Sequence, residues 1–312
     1  MFWSPILPSI QSPLGALPSR FRRERLLIVG CGDVGVRVAR LVPRTLRVLA
    51  LTSSAARIPV LRAQGITPLQ GNLDDAASLR RLAGIATRVV HLAPPASEGW
   101  DDARTRSLTQ ILRSRKPPAA LVYGSTSGVY GDCGGAWVAE TRPTQADTPR
   151  ARRREHAEDC IRFLGRSAGV RSSILRIPGI YAPDREGGTP QARLRKGMPV
   201  LQAEDDVFTN HIHADDLARA CLLALWRGKP QRIYNVNDDT VLKMGDYFDL
   251  AADLYGLARP PRVSRASANA QLPLMLLSFM GESRRMVNQR LKDELGLRLR
   301  YPTVSEGLLS PE

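Results

Sequence analysis

Lysine is scarce in this chain. Only Lys116, Lys196, Lys229, Lys243 and Lys292 contribute to its 45 basic residues, and the rest are arginine. The net charge of +15 therefore comes from arginine spread along the whole length. A nucleic-acid surface would concentrate its charge on one element, so nucleic acid is not an expected partner. Anionic small ligands such as a pyrophosphate are natural beneficiaries of the excess. Cysteine is also sparse, with Cys31, Cys133, Cys160 and Cys221 far apart and no CxxC pattern. That usage fits a reducing cytoplasm. No apolar run reaches the length of a membrane-spanning helix, and no membrane partner is expected. Acidic residues are missing before Glu24, where the chain is rich in Pro and Ser. Pro5, Pro8 and Pro13 interrupt what a signal peptide would keep apolar, so residues 1–24 are expected to form a tail outside the fold.

What is present is ordinary globular material. The 312 residues, 43% hydrophobic, suffice for one large α/β domain with a smaller lobe. From Arg25 onward, strand-like and helix-like segments alternate. Leu26-Leu27-Ile28-Val29 is continuously apolar, as a strand buried on both faces should be. Further strands are expected at 47–51, 66–69, 86–92, 119–123 and 173–177. Helices are expected at 33–41, 55–64, 76–82, 102–113 and 150–165. This repetition with short links predicts a doubly wound parallel sheet. Past Pro178 the pattern loosens. Helices at 214–226 and 244–254, a strand at 232–236, and segments at 272–280 and 287–295 suit a substrate lobe over the sheet's carboxyl edge. The expected division is 25–180 for the nucleotide-binding core and 181–312 for a lobe interleaved with the last sheet elements.

Gly30-Cys31-Gly32-Asp33-Val34-Gly35 is a GxGxxG between a buried strand and a helix. In that context Gly30 permits a tight turn, Gly32 lets backbone approach a pyrophosphate, and Gly35 lets the helix pack on the strand. The motif, with Asp33 and Val34 at the helix start, marks a Rossmann-type dinucleotide site. An NAD site places a carboxylate at the end of the second strand, which would repel a 2′-phosphate. Here that end reads Leu51-Thr52-Ser53-Ser54-Ala55-Ala56-Arg57, with no acid before Asp74. The hydroxyls of Thr52 and Ser53 with Arg57 favour NADP(H), and NAD(H) is the alternative.

Several later stretches resemble one family, the extended and atypical short-chain dehydrogenase/reductases of the epimerase/dehydratase branch, most closely the YeeZ-like group. Gly71-Asn72-Leu73-Asp74 looks like the adenine-contacting turn after the third strand, although Asn72 stands where the family usually has Asp. Val90-His91-Leu92-Ala93-Pro94 looks like the fourth strand, whose end lines the cofactor. Ser125-Thr126-Ser127-Gly128-Val129-Tyr130-Gly131-Asp132 is similar to the serine/threonine motif, with Thr126 at the catalytic hydroxyl. Leu175 to Tyr181 resembles the segment that sets a proline, here Pro178, beside the nicotinamide. Asn210 to Asp216, Tyr234 to Val236, Arg290 to Gly296 and Tyr301-Pro302 match later landmarks. The resemblance covers Arg25 to about Leu308. It implies an oxidoreductase or epimerase-like enzyme on a small carbonyl or sugar-type substrate, and a homodimer through helices 102–113 and 150–165.

One departure is chemical. The family's catalytic Tyr and the Lys four residues later fall on Arg150 and Arg154. No Tyr in the chain is followed by Lys at that spacing. A guanidinium stays protonated and is a poor general acid. The resemblance leaves Arg154 as a fixed donor to a ribose or phosphate, Arg150 as a stabiliser of a substrate oxygen, and Tyr181 as a candidate proton donor. Arg152 and Arg153 read as a solvated face, and Arg154 with Glu158 has helical i,i+4 pairing distance. His211 and His213 share a strand face before Asp215 and Asp216. Those acids fit the first turn of a helix better than a metal site, so no metal is expected. The alternative to an enzyme is a catalytically silent NAD(P)-binding sensor or regulatory protein.

Overall fold

In the computed structural model, residues 24–272, 277 and 280–309 are described. Seven strands form one parallel sheet: β1 (Arg25–Val29), β2 (Arg47–Thr52), β3 (Thr67–Gln70), β4 (Arg88–His91), β5 (Ala120–Thr126), β7 (Arg171–Ile177) and β12 (Arg232–Asn235). Their order is β12-β7-β5-β4-β1-β2-β3. The order reverses between β1 and β4, which pair Leu26 with Arg88 through Val29 with His91. A crevice opens at the carboxyl ends of strands at such a switch point.

The apolar run of β1 explains its central place. Leu26, Leu27, Ile28 and Val29 are all fully buried. Leu26 and Ile28 enter one core with Val38, Leu217 and Leu225; Leu27 and Val29 enter the other with Leu108, Leu112 and Ile161. Alternate side chains thus serve opposite faces, each burial contributing roughly 1.5–3 kcal/mol. Helices α1 (Asp33–Leu41) and α7 (Ala214–Arg227) cover the first face, and α4 (Ala103–Arg113) and α5 (Pro149–Ala168) the second. The α5 start is set by Thr148, whose hydroxyl accepts from the Ala151 N–H at 3.1 Å, and by Pro149 at the first helical position.

A third core holds the lobe together around Tyr181, Leu194, Val200, Tyr247, Phe248 and Val304. It is built on β8 (Gly179–Tyr181), α6 (Gln191–Arg195), β9 (Val200–Leu201), α8 (Met244–Tyr255) and α11 (Val304–Leu308). The chain leaves the sheet after β7 and returns twice, as α7 and as β12, so the lobe and the sheet interleave in sequence.

The expected elements differ from the observed ones mainly at their ends. Strand β5 continues to Thr126 and helix α5 to Ala168, while the third helix is one turn (Ala76–Leu79) followed by a 3-10 turn (Arg80–Leu82). Residues 1–23 and most of 273–279 lie outside the described residues, so the expected tail and part of the 272–280 segment do too. Among the described residues no helix is long and apolar enough to cross a membrane.

Candidate functional site

Two concavities sit at the carboxyl edge of the sheet. The first is a groove of about 410 Å3, lined by Gly30, Cys31, Gly32, Thr52, Ser53, Arg57, Asn72, Leu73, Leu92, Ala93, Pro94 and Arg104 among others. The glycines around it meet three different demands. Gly30 has φ +86°, and a Cβ there would lie 2.3 Å from the Ala93 nitrogen. Backbone conformation and close approach both require glycine at that point. A Cβ on Gly32 would meet nothing within 4 Å, so the backbone there is open to the groove. A Cβ on Gly35 would stand 3.2 Å from the Ile28 side chain and from the Gly30 carbonyl, so bare backbone lets α1 seat on β1. Helix α1 begins with no side-chain cap, which leaves its first N–H groups for water or an anion.

The far end of the groove is basic. Arg57 starts α2 (Arg57–Ala63) and its Nη2 donates to the Cys31 carbonyl at 2.6 Å. The Thr52 hydroxyl accepts from the Ser54 N–H at 3.3 Å, turning the chain as β2 ends. Asn72 Oδ1 accepts from the Asp74 N–H at 3.1 Å. Arg104, at the start of α4, reaches the groove and is held by both oxygens of Asp74 at 2.6 Å. Nothing local in the sequence marks Arg104, because its partner lies 30 residues away.

Besides Gly35, which seats α1 on β1, three residues expected at the cofactor do not line the groove. The Asp33 carboxylate is taken by Arg37 at 3.1 Å and Arg185 at 2.8 Å, so it ties α1 to the lobe. Arg37 is itself bound by Asp184 and Asp215, both at 2.6 Å. Val34 is a core residue. Pro178 lines the second concavity and not the groove.

That second concavity is a cavity of about 530 Å3 between the sheet edge and the lobe. Thr126, Arg150, Pro178 and Tyr181 line it with Arg193, His211, Tyr247, Phe248, Glu282 and Arg284. Thr126 ends β5, and its hydroxyl accepts from the Gly128 N–H at 3.3 Å. The strand end is fixed from behind. Ser125 donates to the buried Glu158 at 2.7 Å, and Glu158 also holds Arg176 through bonds of 3.1 and 2.8 Å. Arg176 in turn stacks on the Tyr130 ring at 4.6 Å.

The arginines of α5 separate into different roles. Arg150 lines the cavity, and burial lowers its proton affinity, with Arg154 and Arg153 adding to that and Glu282 opposing it. Arg154 turns under the sheet edge. Its Nη1 donates to the Gly124 carbonyl at 2.9 Å, the Tyr123 hydroxyl at 3.1 Å and the Ala93 carbonyl at 3.5 Å. The expected Arg154–Glu158 pairing does not form, because Glu158 is engaged by Arg176 and Arg162. Nor is Arg153 a solvated residue: it is buried and donates to the Gly99 carbonyl at 2.6 Å. Arg152 is exposed and stacks on Trp100.

Tyr181 forms wall and not tip. It is 2% exposed and donates to the Thr303 carbonyl at 3.2 Å. A Cβ on Gly307 would stand 2.4 Å from its oxygen, so the phenol end is packed against α11, away from the cavity. Burial first, and then the neighbouring Asp238, raise the affinity of that phenol for its proton. Asp238 itself is pushed up to about 7 by burial. This geometry does not suit the proton-donor role expected for Tyr181. Tyr123, the phenol beside Arg154, is fully buried and pushed up to about 12 by desolvation, so it is sealed from substrate as well.

His211 stacks on Tyr247 at 4.2 Å, and burial pushes it down to about 4. His213 caps α7, its Nδ1 accepting from the Asp215 N–H at 3.2 Å, and both Asp215 and Asp216 lie in the first turn. Among the described residues no group of three or more His, Cys, Asp or Glu could hold a metal ion. The cavity residues that sequence reasoning missed are Arg193, Tyr247, Phe248, Glu282 and Arg284. Tyr247 and Phe248 lie on the expected helix at 244–254, but the way that helix faces the cavity is set by the lobe's packing. Arg193 sits on a five-residue helix and Glu282 and Arg284 between elements, where no periodic signal marks them.

The solved structures most informative about this architecture are distant in sequence. A functionally unknown conserved protein from Silicibacter pomeroyi is 29% identical, with a TM-score of 0.76 over 91% of this chain and 96% of that one. A dTDP-glucose 4,6-dehydratase from Streptomyces venezuelae, solved with NAD bound, is 21% identical, with a TM-score of 0.73 over 91% and 94%. UDP-glucose 4-epimerase from Thermotoga maritima is 17% identical, with a TM-score of 0.73 over 91% and 96%. At the lower two identities the likeness is one of fold. Among curated proteins, UDP-glucuronate 4-epimerase 6 of Arabidopsis thaliana is 22% identical over 256 residues, 70% of this chain and 55% of its own length. The chain thus spans about half the length of the curated relatives it matches. The model of the NAD dependent epimerase/dehydratase family matches residues 26–237, more than half of the sequence, and the chain belongs to that family.

Proposed function

We propose that this protein is an NAD(P)(H)-dependent oxidoreductase or epimerase-like enzyme. Its substrate is a small carbonyl or sugar-type compound of the sugar-nucleotide class for which its relatives are named. The observation that carries this reading is the position of two concavities at the carboxyl edge of one parallel sheet. One is lined by the glycine turn, and the other has Thr126 at its sheet wall.

The groove residues fit a dinucleotide. Gly30 and Gly32 present bare backbone at the uncapped start of α1 to a pyrophosphate. Asn72 and Leu73 border the adenine end, and Leu92, Ala93 and Pro94 the path towards nicotinamide. Thr52, Ser53 and Arg57, with no acid among them, suit a 2′-phosphate, which supports NADP(H) over NAD(H). A nicotinamide held there supplies the hydride exchange that interconverts alcohol and carbonyl.

In the cavity, Thr126 hydrogen-bonds the substrate oxygen and Arg150 stabilises negative charge on it. Proton traffic falls to Glu282. It is the single carboxylate lining the cavity among the described residues, and its Oε2 would lie 3.9 Å from a Cβ on Gly128, beside Thr126. Glu282 takes the hydroxyl proton released in the alcohol-to-carbonyl direction and returns it in the other. A carboxylate can do this, whereas the guanidinium of Arg150 cannot. All four cysteines are free, three of them buried, which supports a reducing cytoplasmic setting.

The second reading, a dinucleotide sensor without turnover, draws on Arg150 and Arg154 standing where the family's Tyr and Lys are expected. Incubation with NADP⁺ or NAD⁺ and a panel of UDP-glucuronate, UDP-glucose and dTDP-glucose separates the two. Formation of reduced nicotinamide or of an epimerised product supports the enzyme, and Glu282→Gln should cut turnover at least tenfold. If the wild type is inert to the whole panel yet binds reduced and oxidised cofactor very differently, the sensor reading replaces it. Undiminished turnover in Glu282→Gln removes the role of Glu282.

A further inference from the structure

Arg193 lies in the short helix α6, on the lobe side of the cavity. Its guanidinium stands over the Phe248 ring at 4.3 Å. The Nε and Nη2 atoms are shielded from solvent and have no hydrogen-bond acceptor. Burial lowers its proton affinity, opposed by the Tyr247 hydroxyl. Other arginines on this wall are provided for. Arg185 is paired with Asp33 at 2.8 Å, and Arg284 with Glu282 at 2.7 Å.

A half-buried cation is costly unless an anion or strong acceptors replace its water. A ring face returns only part of that, on the order of 1 kcal/mol. We infer that Arg193 anchors an oxyanion, a carboxylate or phosphate group, carried by the substrate. The inference rests on the cavity being the substrate site. The planar fork of the guanidinium suits bidentate capture of either group. Phe248 and Tyr247 form the apolar wall beside it, so the adjoining part of the substrate packs on their rings. Its reacting oxygen faces the sheet wall, where Thr126 and Arg150 stand.

Thermal unfolding of the full chain, saturated with NADPH so that the glycine turn is occupied, tests this. Malonate, inorganic phosphate and uncharged malonamide are titrated against the wild type and Arg193→Met. Malonate or phosphate should raise the wild-type midpoint by roughly 3 °C at ten times its Kd, and malonamide should not. The stronger of the two anions identifies the group as carboxylate or phosphate. Arg193→Met should lose this response and unfold no earlier than wild type in the absence of anion, because it removes an unmatched charge. Unchanged NADPH affinity shows that the variant is folded. No anion response in the wild type, or the same response in Arg193→Met, overturns the inference. Failure of NADPH to bind instead sinks the oxidoreductase reading. The same titrations without cofactor then still decide the role of Arg193.

Discussion

Arg154 donates to the Gly124 carbonyl at 2.9 Å, and the same nitrogen reaches the Tyr123 hydroxyl and the Ala93 carbonyl. One side chain of α5 therefore joins the turn after β4, which borders the groove, to β5, whose end at Thr126 borders the cavity. The resemblance assigned this position to a fixed donor for the cofactor. The geometry makes it first a clamp on the sheet edge.

Arg154→Met should leave two carbonyls short of a donor and cost about 1–3 kcal/mol of stability, read as a lower urea midpoint at unchanged slope. Arg154→Lys, which keeps a cation and its donors, should recover part of the loss. Equal stability of Arg154→Met and wild type would show that the clamp contributes nothing.

The glycine turn offers a sharper separation of fold from function. Gly30→Ala should be strongly destabilising, because its Cβ collides with Ala93 backbone and its φ is +86°. Gly32→Ala should fold normally, its Cβ having open space, yet weaken dinucleotide binding at least tenfold by occupying the pyrophosphate's approach. Paired thermal melts and calorimetric titrations measure both. A Gly32→Ala protein that binds as tightly as wild type would place the pyrophosphate elsewhere.

Burial holds His211 near 4, against 6.5 for an ordinary imidazole. The folded state therefore binds fewer protons than the unfolded state between those values, and unfolding takes one up. The sign follows: this group's contribution is fully present above about 6.5 and is lost as pH falls towards 4. His211→Phe keeps the stacking on Tyr247 and removes the titration. It should flatten the acid limb of the stability–pH curve by about one proton over that window. An unaltered slope would mean that His211 titrates normally.

The sheet was largely legible because its signals are local. Leu26 to Val29 is apolar at every position, and Asp33–Leu41 and Ala214–Arg227 carry helical periodicity to within a residue of the observed ends. Ten of the fourteen expected cofactor residues line the groove, since the glycine turn and the strand ends adjoin it through register alone. The exceptions have physical causes. Asp33, one helical turn from Arg37, was also claimed by Arg185, 152 residues away, and Glu158 by Arg176 on the neighbouring strand. Long-range ion pairs leave no trace in a local pattern. The same holds for Arg104, Arg193 and Glu282, which reach the concavities only once the sheet and lobe have closed.

We propose that the groove holds a dinucleotide with a 2′-phosphate. Calorimetric titration of wild type and Arg57→Met with NADPH, NADP⁺, NADH and NAD⁺ tests it directly. Wild type should bind NADPH and NADP⁺ more tightly than NADH and NAD⁺. Arg57→Met should lose about 10- to 100-fold for the phosphorylated pair and little for the other. Equal affinity for both pairs, unchanged in Arg57→Met, would contradict the NADP(H) assignment, and no binding of any of the four would contradict the dinucleotide site itself.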